Sequence, residues 1–145
     1  MRAVLSAVVV LLLAACSESG TGPADGLRVR TDAASYGLAG NGPATVHFTV
    51  ENTGSTPVQI AQCGEGATAE LQQRQGTAWV TVASGICPTL AVYMPRVLAP
   101  GESAEGQLSI DYSGRFRLRI MVPRGDEEPV DFATSSTFEV RWLED

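Results

Sequence analysis

Few side chains of this sequence could take part in catalysis or metal binding. The only histidine is His47, and the cysteines are Cys16, Cys63 and Cys87. A Ser-His-Asp triad or a Cys-His dyad would have to use His47, and the sequence contains no Gly-x-Ser-x-Gly nucleophile motif. Zinc would need more ligands than one histidine and two distant cysteines without a Cys-x-x-Cys motif. We therefore expect no catalytic residue, no cofactor and no metal site, and predict that the protein is not an enzyme.

Three arginines form the most unusual charge pattern of the sequence. Arg115, Arg117 and Arg119 occupy alternate positions, so a β-strand would place them on one face. Guanidinium groups bind carboxylates and phosphates through paired hydrogen bonds, which makes this face a candidate docking surface for an acidic partner or for anionic headgroups. The alternative is a solvated face whose charge is balanced by acids on neighbouring strands, such as Asp111 or Glu139.

The composition fits one globular domain. The chain has 145 residues, of which 44% are hydrophobic and 18% charged, and this is enough for a single core. All 10 basic residues are arginines, and 16 acidic residues outnumber them to give a net charge of -6. Nucleic-acid binding needs a basic surface that neutralises phosphates, so we expect no nucleic-acid partner.

The residue pattern beyond the N-terminus predicts strands throughout. Apolar and polar residues alternate with period two, turn residues separate the runs, and no window sustains the spacing of an amphipathic helix. Turn chemistry at 52–57 predicts that 44–62 is a hairpin, and Gln75-Gly76-Thr77 separates two further strands. The predicted strands are 27–31, 44–52, 58–62, 69–74, 78–82, 90–97, 106–112, 114–122 and 137–142. The fold class is therefore all-β, an antiparallel β-sandwich of about seven to nine strands.

The first residues read as an export signal. Met1-Arg2 is followed by apolar residues 3–15, interrupted only by Ser6, and the segment is too short to span a bilayer. Its end, Leu13-Ala14-Ala15-Cys16, resembles the lipobox of bacterial lipoproteins. The resemblance implies cleavage of the signal peptide 1–15, transfer of diacylglycerol to the Cys16 thiol, and acylation of the new amine by a fatty acid such as palmitate. Two or three acyl chains would anchor the protein stably in a membrane.

The segment after the lipobox is predicted to be a tether. Residues 16–26 contain no large apolar side chain, and ten such residues have an end-to-end distance of roughly 17 Å. A residue other than aspartate at Ser17 implies, in lipoproteins of Gram-negative bacteria, export to the outer membrane. We therefore expect a cell-envelope protein whose domain, 27–145, lies close to the membrane that holds the lipid.

A second resemblance concerns the domain itself. The order of its elements is similar to that of bacterial immunoglobulin-like domains of envelope lipoproteins, with a Leu-x-Pro-Gly turn ahead of two strands. The segments that carry the resemblance are 46–52, 76–82, 98–102, 114–118 and 138–140. It implies an immunoglobulin-like fold and no particular reaction. Antibody-type domains place their paired cysteines on strands B and F, and Cys63 and Cys87 are too close in sequence for that arrangement.

The two remaining cysteines are expected to form a disulfide. With Cys16 lipidated, Cys63 and Cys87 are an even pair in an oxidising compartment. Closing a loop of this length would stabilise the fold by about 3 kcal/mol. A metal site and a redox pair are the alternatives.

These features predict a lipid-anchored, non-catalytic binding or accessory module that contacts an envelope protein. One alternative is a proteinase-inhibitor-like sandwich in which the segment 90–99 or 64–68 enters a protease cleft. Another is a small-ligand or carbohydrate-binding lipoprotein, for which the stacking candidates are Trp79, Trp142, Tyr93 and Phe132. The acidic segment 124–131 is predicted to be a solvated loop, with calcium binding as its alternative.

Overall fold

A computed structural model describes residues 26–40, 42–84, 93–123 and 131–143. All regular elements in these ranges are β-strands. The described residues therefore contain no helix that is long and apolar enough to cross a membrane. The strands are β1 (Leu27–Thr31), β2 (Ser35–Leu38), β3 (Ala44–Asn52), β4 (Val58–Cys63), β5 (Gly66–Ala67), β6 (Glu70–Gln75), β7 (Ala78–Ala83), β8 (Tyr93–Leu98), β9 (Ser103–Ile110), β10 (Gly114–Val122), β11 (Asp131–Thr134) and β12 (Phe138–Trp142).

The strands form an immunoglobulin-like β-sandwich, as the sequence predicts. One sheet has the order β1-β3-β9, and the other has the order β2-β12-β10-β6-β7, with β11 also paired to β10. These orders match strands A, B and E of an immunoglobulin domain on one side and G, F, C and C′ on the other. A small sheet, β5-β4-β8, lies alongside: β4 contacts β10 and β5 contacts β9. The pairs are antiparallel except β2 with β12.

The core lies between β3 and β10, which supply the alternating apolar residues that the sequence predicts. Residues at alternate positions of these two strands are buried, and their neighbours point outward. The rings of Phe116 and Phe138 stack 5.9 Å apart, and Tyr36 meets Phe138 edge-on at 5.6 Å. The inward side chains of β3 and β10 are Val46, Phe48, Val50, Phe116, Leu118, Ile120 and Val122.

The predicted hairpin at 44–62 is wrong. β3 is paired on one side with β1 and on the other with β9, so it has no edge left for β4, which pairs instead with β5 and β8. The buried side chain of Asn52 organises the connection. Its amide donates hydrogen bonds to the carbonyls of Thr56 (2.8 Å) and Leu98 (2.9 Å), and its Oδ1 accepts one from the Gly54 N–H (3.0 Å). The chain does turn at 53–57, but the turn leads into β4 of another sheet.

The predicted turn at 75–77 is confirmed as the end of a hairpin between β6 and β7. Its loop is two residues long, with Gly76 at a φ of 59° and Gln75 opposite Ala78. A positive φ at the first loop position is what a type II′ turn requires, and glycine adopts it without steric cost. This hairpin places β7 at the end of the larger sheet.

The structure has more strands than the sequence predicts because three short ones, β2, β5 and β11, were missed. The chain passes from β1 in one sheet to β2 in the other through 32–34. The Tyr36 hydroxyl holds this crossover: it accepts a hydrogen bond from the Ala33 N–H (3.0 Å) and donates one to Asp32. At β5, a side chain on Gly106 would come within 2.5 Å of the Ala67 carbonyl, so glycine is needed there.

Candidate functional site

The outward side of β12, β10, β6 and β7, which we call the basic face, carries the three predicted arginines. Arg115, Arg117 and Arg119 alternate with buried residues along β10, and all three point away from the core as predicted. Arg74 on β6 and Arg141 on β12 lie on the same side. The structure therefore extends the predicted ladder from one strand to three.

Arg119 is anchored by the neighbouring strand. It forms an ion pair with Glu70, its register partner on β6, and both side chains are largely buried, with 27% and 18% exposed. Its guanidinium lies 4.0 Å from the ring centroid of Phe132. Charge and hydrogen bonding are thus satisfied at this position, so Arg119 contributes to the fold more than to any external contact.

Arg117 has no carboxylate partner among the residues that the structure describes. Its Nε donates a hydrogen bond of 2.8 Å to the buried Gln72 Oε1, and its guanidinium lies 4.5 Å from the centroid of Trp79. Arg74 contacts the same indole at 5.5 Å, and its Nε donates to the Gly76 carbonyl at 3.0 Å. Two guanidiniums therefore meet at one aromatic ring, and no described carboxylate pairs with either.

The electrostatics of this cluster favour an added anion. Burial lowers the pKa of Arg117, and the neighbouring positive charges of Arg119 and Arg74 lower it further. Arginine stays protonated in proteins, so the lowered pKa reflects repulsion and incomplete solvation of a charged group. A carboxylate placed between Arg117 and Arg74 would satisfy both groups.

The remaining acid of the basic face is shared. Glu139 lies 3.5 Å from Arg115 and also pairs with Arg141, which confirms Glu139 as one of the two predicted balancing acids. The second, Asp111, is part of a groove with Trp142 and forms no ion pair with these arginines within the described ranges. Among the described residues, the basic face thus carries five arginines and two glutamates, so the acids described there do not balance its charge.

Two residues of this cluster, Arg74 and Trp79, were not recognised from the sequence as partners of Arg117. The sequence indicates Trp79 only as a candidate for carbohydrate stacking. In the structure its ring is contacted by the guanidiniums of Arg74 and Arg117, and the ring of Phe132 is contacted by that of Arg119. Alternation along β6 predicts the direction of Arg74, but its proximity to Arg117 depends on β6 pairing with β10.

His47 lies on the outer side of the other sheet and is exposed, as predicted. It lines a shallow groove together with Thr49, Glu51 and Glu105. Within the described residues, no group of three or more histidine, cysteine, aspartate or glutamate side chains is arranged to hold a metal ion.

The two segments predicted as alternative inhibitor loops are partly strand. Within 64–68, Gly66–Ala67 forms β5, and the Thr68 N–H donates to the Ala61 carbonyl at 3.1 Å. Residues 93–98 of the other segment form β8 and pair with β4, while 90–92 lie outside the described residues. In these segments, residues 66–67 and 93–98 are held in sheet structure, whereas Gly64 and Glu65 form an exposed turn between β4 and β5.

A groove of about 520 Å³ lies between β9 and the segment from β5 to β6. Phe48, Ala67, Leu71 and Leu108 supply its apolar lining, and its described lining residues include no arginine, aspartate or glutamate.

Several predicted features fall outside the described residues. They include the lipobox with Cys16, the tether up to residue 25, Cys87, and all of the acidic segment 124–131 except Asp131. Cys63 is described: it ends β4, opposite Gly66 and Tyr93. The lipidation and the disulfide stay predictions.

No protein-family model matches the sequence. No curated protein matches it either. Among solved structures, the ASH/PapD-like domain of human CEP192 is 10% identical with a TM-score of 0.42, and the match covers 100% of this chain and 99% of that domain.

Two enzymes contain a part with a similar strand arrangement. The alkylpurine DNA glycosylase AlkC of Pseudomonas fluorescens is 16% identical with a TM-score of 0.41, over 79% of this chain and 30% of that one. A β-glucosidase of Listeria innocua is 12% identical with a TM-score of 0.38, over 79% and 16%. The chain spans less than a third of either enzyme, and none of their activities is transferred to it.

Proposed function

We propose that the protein is a lipid-anchored, non-catalytic module of a bacterial envelope that binds a partner protein through its basic face. The observation that carries this proposal is the pair of guanidiniums, Arg117 and Arg74, at the ring of Trp79 without a carboxylate among the described residues. Arginine and tryptophan are the side chains most enriched at the energetic centres of protein interfaces. A partner that supplies a carboxylate would gain charge-assisted hydrogen bonds there.

The proposed anchor is the lipidated Cys16, followed by the tether up to Gly26. Gly26 lies beside the loop at 53–54, because its carbonyl accepts hydrogen bonds from the N–H groups of Thr53 and Gly54. The tether therefore meets the sandwich at one end, and a span of roughly 17 Å leaves the basic face room to turn toward a neighbouring protein. In a Gram-negative host, the membrane in question would be the outer membrane.

The proposed disulfide, Cys63–Cys87, would stabilise this module. Cys63 and Ser84 line the same groove, and Cys63 lies opposite Tyr93 in the pairing of β4 with β8. Cys87 follows Ser84 by three residues and precedes Tyr93 by six, so the two described residues that flank its segment both lie near Cys63. Alkylation of the purified protein before reduction should label neither thiol. Labelling of both would contradict the disulfide.

In-cell crosslinking of the full-length protein, followed by mass spectrometry, tests the proposed function. We expect one envelope protein to be enriched and to be lost in the double variant Arg74→Glu, Arg117→Glu. The matched control is Arg28→Glu, Arg30→Glu, which changes the same charge on the other sheet and should retain the partner.

Two results would contradict parts of this proposal. Undiminished recovery with the double variant of the basic face would rule out that face as the contact. Undiminished recovery with Cys16→Ser, which removes the site of lipidation, would show that binding does not depend on the anchor.

A further inference from the structure

Strand β7 has an edge beside the basic face that no described strand covers. It is the last strand in the order β2-β12-β10-β6-β7, and no other described strand pairs with its outer side. Its sequence, Ala-Trp-Val-Thr-Val-Ala, contains no charge, no proline and no glycine. Proteins commonly protect sheet edges with charged residues, proline or very short strands.

The other sheet edges of the described chain have such protection. β1 carries Arg28 and Arg30, β8 carries Pro95 and Arg96, and β2 is only four residues long. The outer side of β9 lies against β5 at Gly106. Among the described strands, β7 therefore lacks the protection that the other edges have.

The hairpin geometry identifies the backbone groups that face this edge. In a two-residue hairpin, the residues that flank the loop exchange both hydrogen bonds, and the pattern then alternates along the strand. Gln75 and Ala78 flank the loop, so Ala78 and Val80 direct their N–H and C=O groups toward β6. Trp79 and Thr81 direct theirs toward the open edge, where an added strand would pair with them.

The same edge borders the two guanidiniums for which no carboxylate partner occurs among the described residues. Trp79 lies directly opposite Arg74 in the register of β6 and β7, and Arg117 contacts the Trp79 ring from β10. Strands lie about 4.8 Å apart, so a residue of an added strand opposite Trp79 would be roughly 10 Å from the Arg74 backbone. Extended glutamate and arginine side chains span this distance together.

We infer that β7 accepts an extended, acidic segment of a partner protein as an additional strand. Its backbone would bind Trp79 and Thr81, and its carboxylates would bind Arg74 and Arg117. This inference rests on the proposed function, because it specifies how the partner protein meets the basic face. Backbone pairing supplies affinity in such strand addition, and the side chains of alternate residues supply specificity.

The test uses the full-length protein in detergent and a short synthetic peptide in which glutamate alternates with valine. A peptide in which lysine replaces glutamate is the charge control. We expect salt-sensitive binding of the glutamate peptide alone, measured by fluorescence anisotropy. We also expect its binding to slow hydrogen exchange at the amides of Trp79 and Thr81.

Thr81→Pro and Thr81→Val form a matched pair of variants. Both remove the hydroxyl that accepts a hydrogen bond from Gln72 (3.3 Å), but only proline removes the N–H that faces the edge. Proline is tolerated at edge positions whose N–H points away from the sheet, so β6 and β7 stay paired. We expect Thr81→Pro to bind the glutamate peptide at least about tenfold more weakly, and Thr81→Val to bind like the wild type.

The outcomes separate this inference from the proposed function. Equal binding by Thr81→Pro and Thr81→Val, with binding lost in Arg74→Glu, Arg117→Glu, would leave the basic face as a contact surface and overturn strand addition. Unchanged exchange at Trp79 and Thr81 in the wild type would also overturn it, even if Thr81→Pro did not fold. Failure of the glutamate peptide to bind the wild type overturns the inference, whereas the crosslinking experiment decides on the function independently.

Discussion

The outer sides of the two layers share the same alternation but differ in how their charges are arranged. On the β1-β3-β9 side, Arg28 lies 3.8 Å from Glu51, and Arg30 lies opposite Thr49, whose other neighbour is Glu105. Opposite charges are therefore interleaved across neighbouring strands and largely solvated. On the basic face, the charged residues that the structure describes are five arginines and two glutamates. A solvated sheet surface needs no excess of one charge, so the excess distinguishes the side that we assign to binding.

The comparison also separates the three arginines of β10 by role. Arg119 is neutralised by the largely buried Glu70, and Arg115 shares Glu139 with Arg141. The described partners of Arg117 are a neutral acceptor, Gln72, and the ring of Trp79. One ladder thus contains a structural ion pair at one end and an unneutralised charge in the middle. All three arginines have the same strand geometry, so the difference in their interactions comes from the residues that the neighbouring strands place beside them.

The largest expected effect on stability comes from removing the ion pair of the basic face. Arg119→Gln leaves the Glu70 carboxylate, 18% exposed, without its cation and removes the contact with Phe132. We expect the free energy of unfolding to fall by about 2 kcal/mol, measured by urea denaturation. Arg28→Gln is the control on the other side. Its pair with Glu51 is exposed, so its loss should cost less than about 0.5 kcal/mol.

Arg117→Gln allows two arginines of the same strand, Arg117 and Arg119, to be compared by their effects on stability. The substitution removes a hydrogen bond to Gln72 and the contact with Trp79, but it also relieves repulsion from Arg119 and Arg74. These contributions oppose each other, so we expect the free energy of unfolding to change less than it does in Arg119→Gln. A loss of stability as large as that of Arg119→Gln would mean that Arg117 is also structural and would count against its assignment to binding.

Local sequence patterns predict this fold where a single strand or a short hairpin decides the outcome. The outward direction of the β10 arginines follows from alternation alone, and the β6–β7 hairpin follows from Gly76 in a two-residue loop. The connection at 53–57 was misread because asparagine, glycine and proline favour a turn in any direction. Whether β4 pairs with β3 depends on β1 and β9, which occupy both edges of β3.

The candidate site was only partly predictable for the same reason. Arg117 was identified from its own strand, but its neighbours Gln72 and Trp79 lie on β6 and β7, 45 residues away in sequence for Gln72. Their proximity depends on the strand order β10-β6-β7, which no local pattern contains. The short strands β2 and β5 were missed because four and two residues are too few to show alternation.

The smallest expected effect on stability concerns the crossover at 32–34 between the two sheets. There the Tyr36 hydroxyl is hydrogen-bonded to Asp32 and to the Ala33 N–H. Burial, followed by the hydrogen bond with Asp32, raises the pKa of Tyr36 from 10.0 to about 12. A raised pKa means that folding favours the protonated phenol. Its stabilising contribution is therefore complete below pH 10 and is lost as the pH rises toward about 12.

Tyr36→Phe removes this titration, so its melting temperature should fall less steeply between pH 10 and about 12 than that of the wild type, measured by circular dichroism. Carboxyl and imidazole groups titrate far below this range, so the difference reports on the crossover and not on the charge balance of either outer face. Burial also raises the pKa of Tyr112, and Tyr112→Phe serves as the comparison variant. If the two variants flattened the pH dependence equally, or if Tyr36→Phe left it unchanged, the hydrogen bond to Asp32 would have no special part in joining the layers.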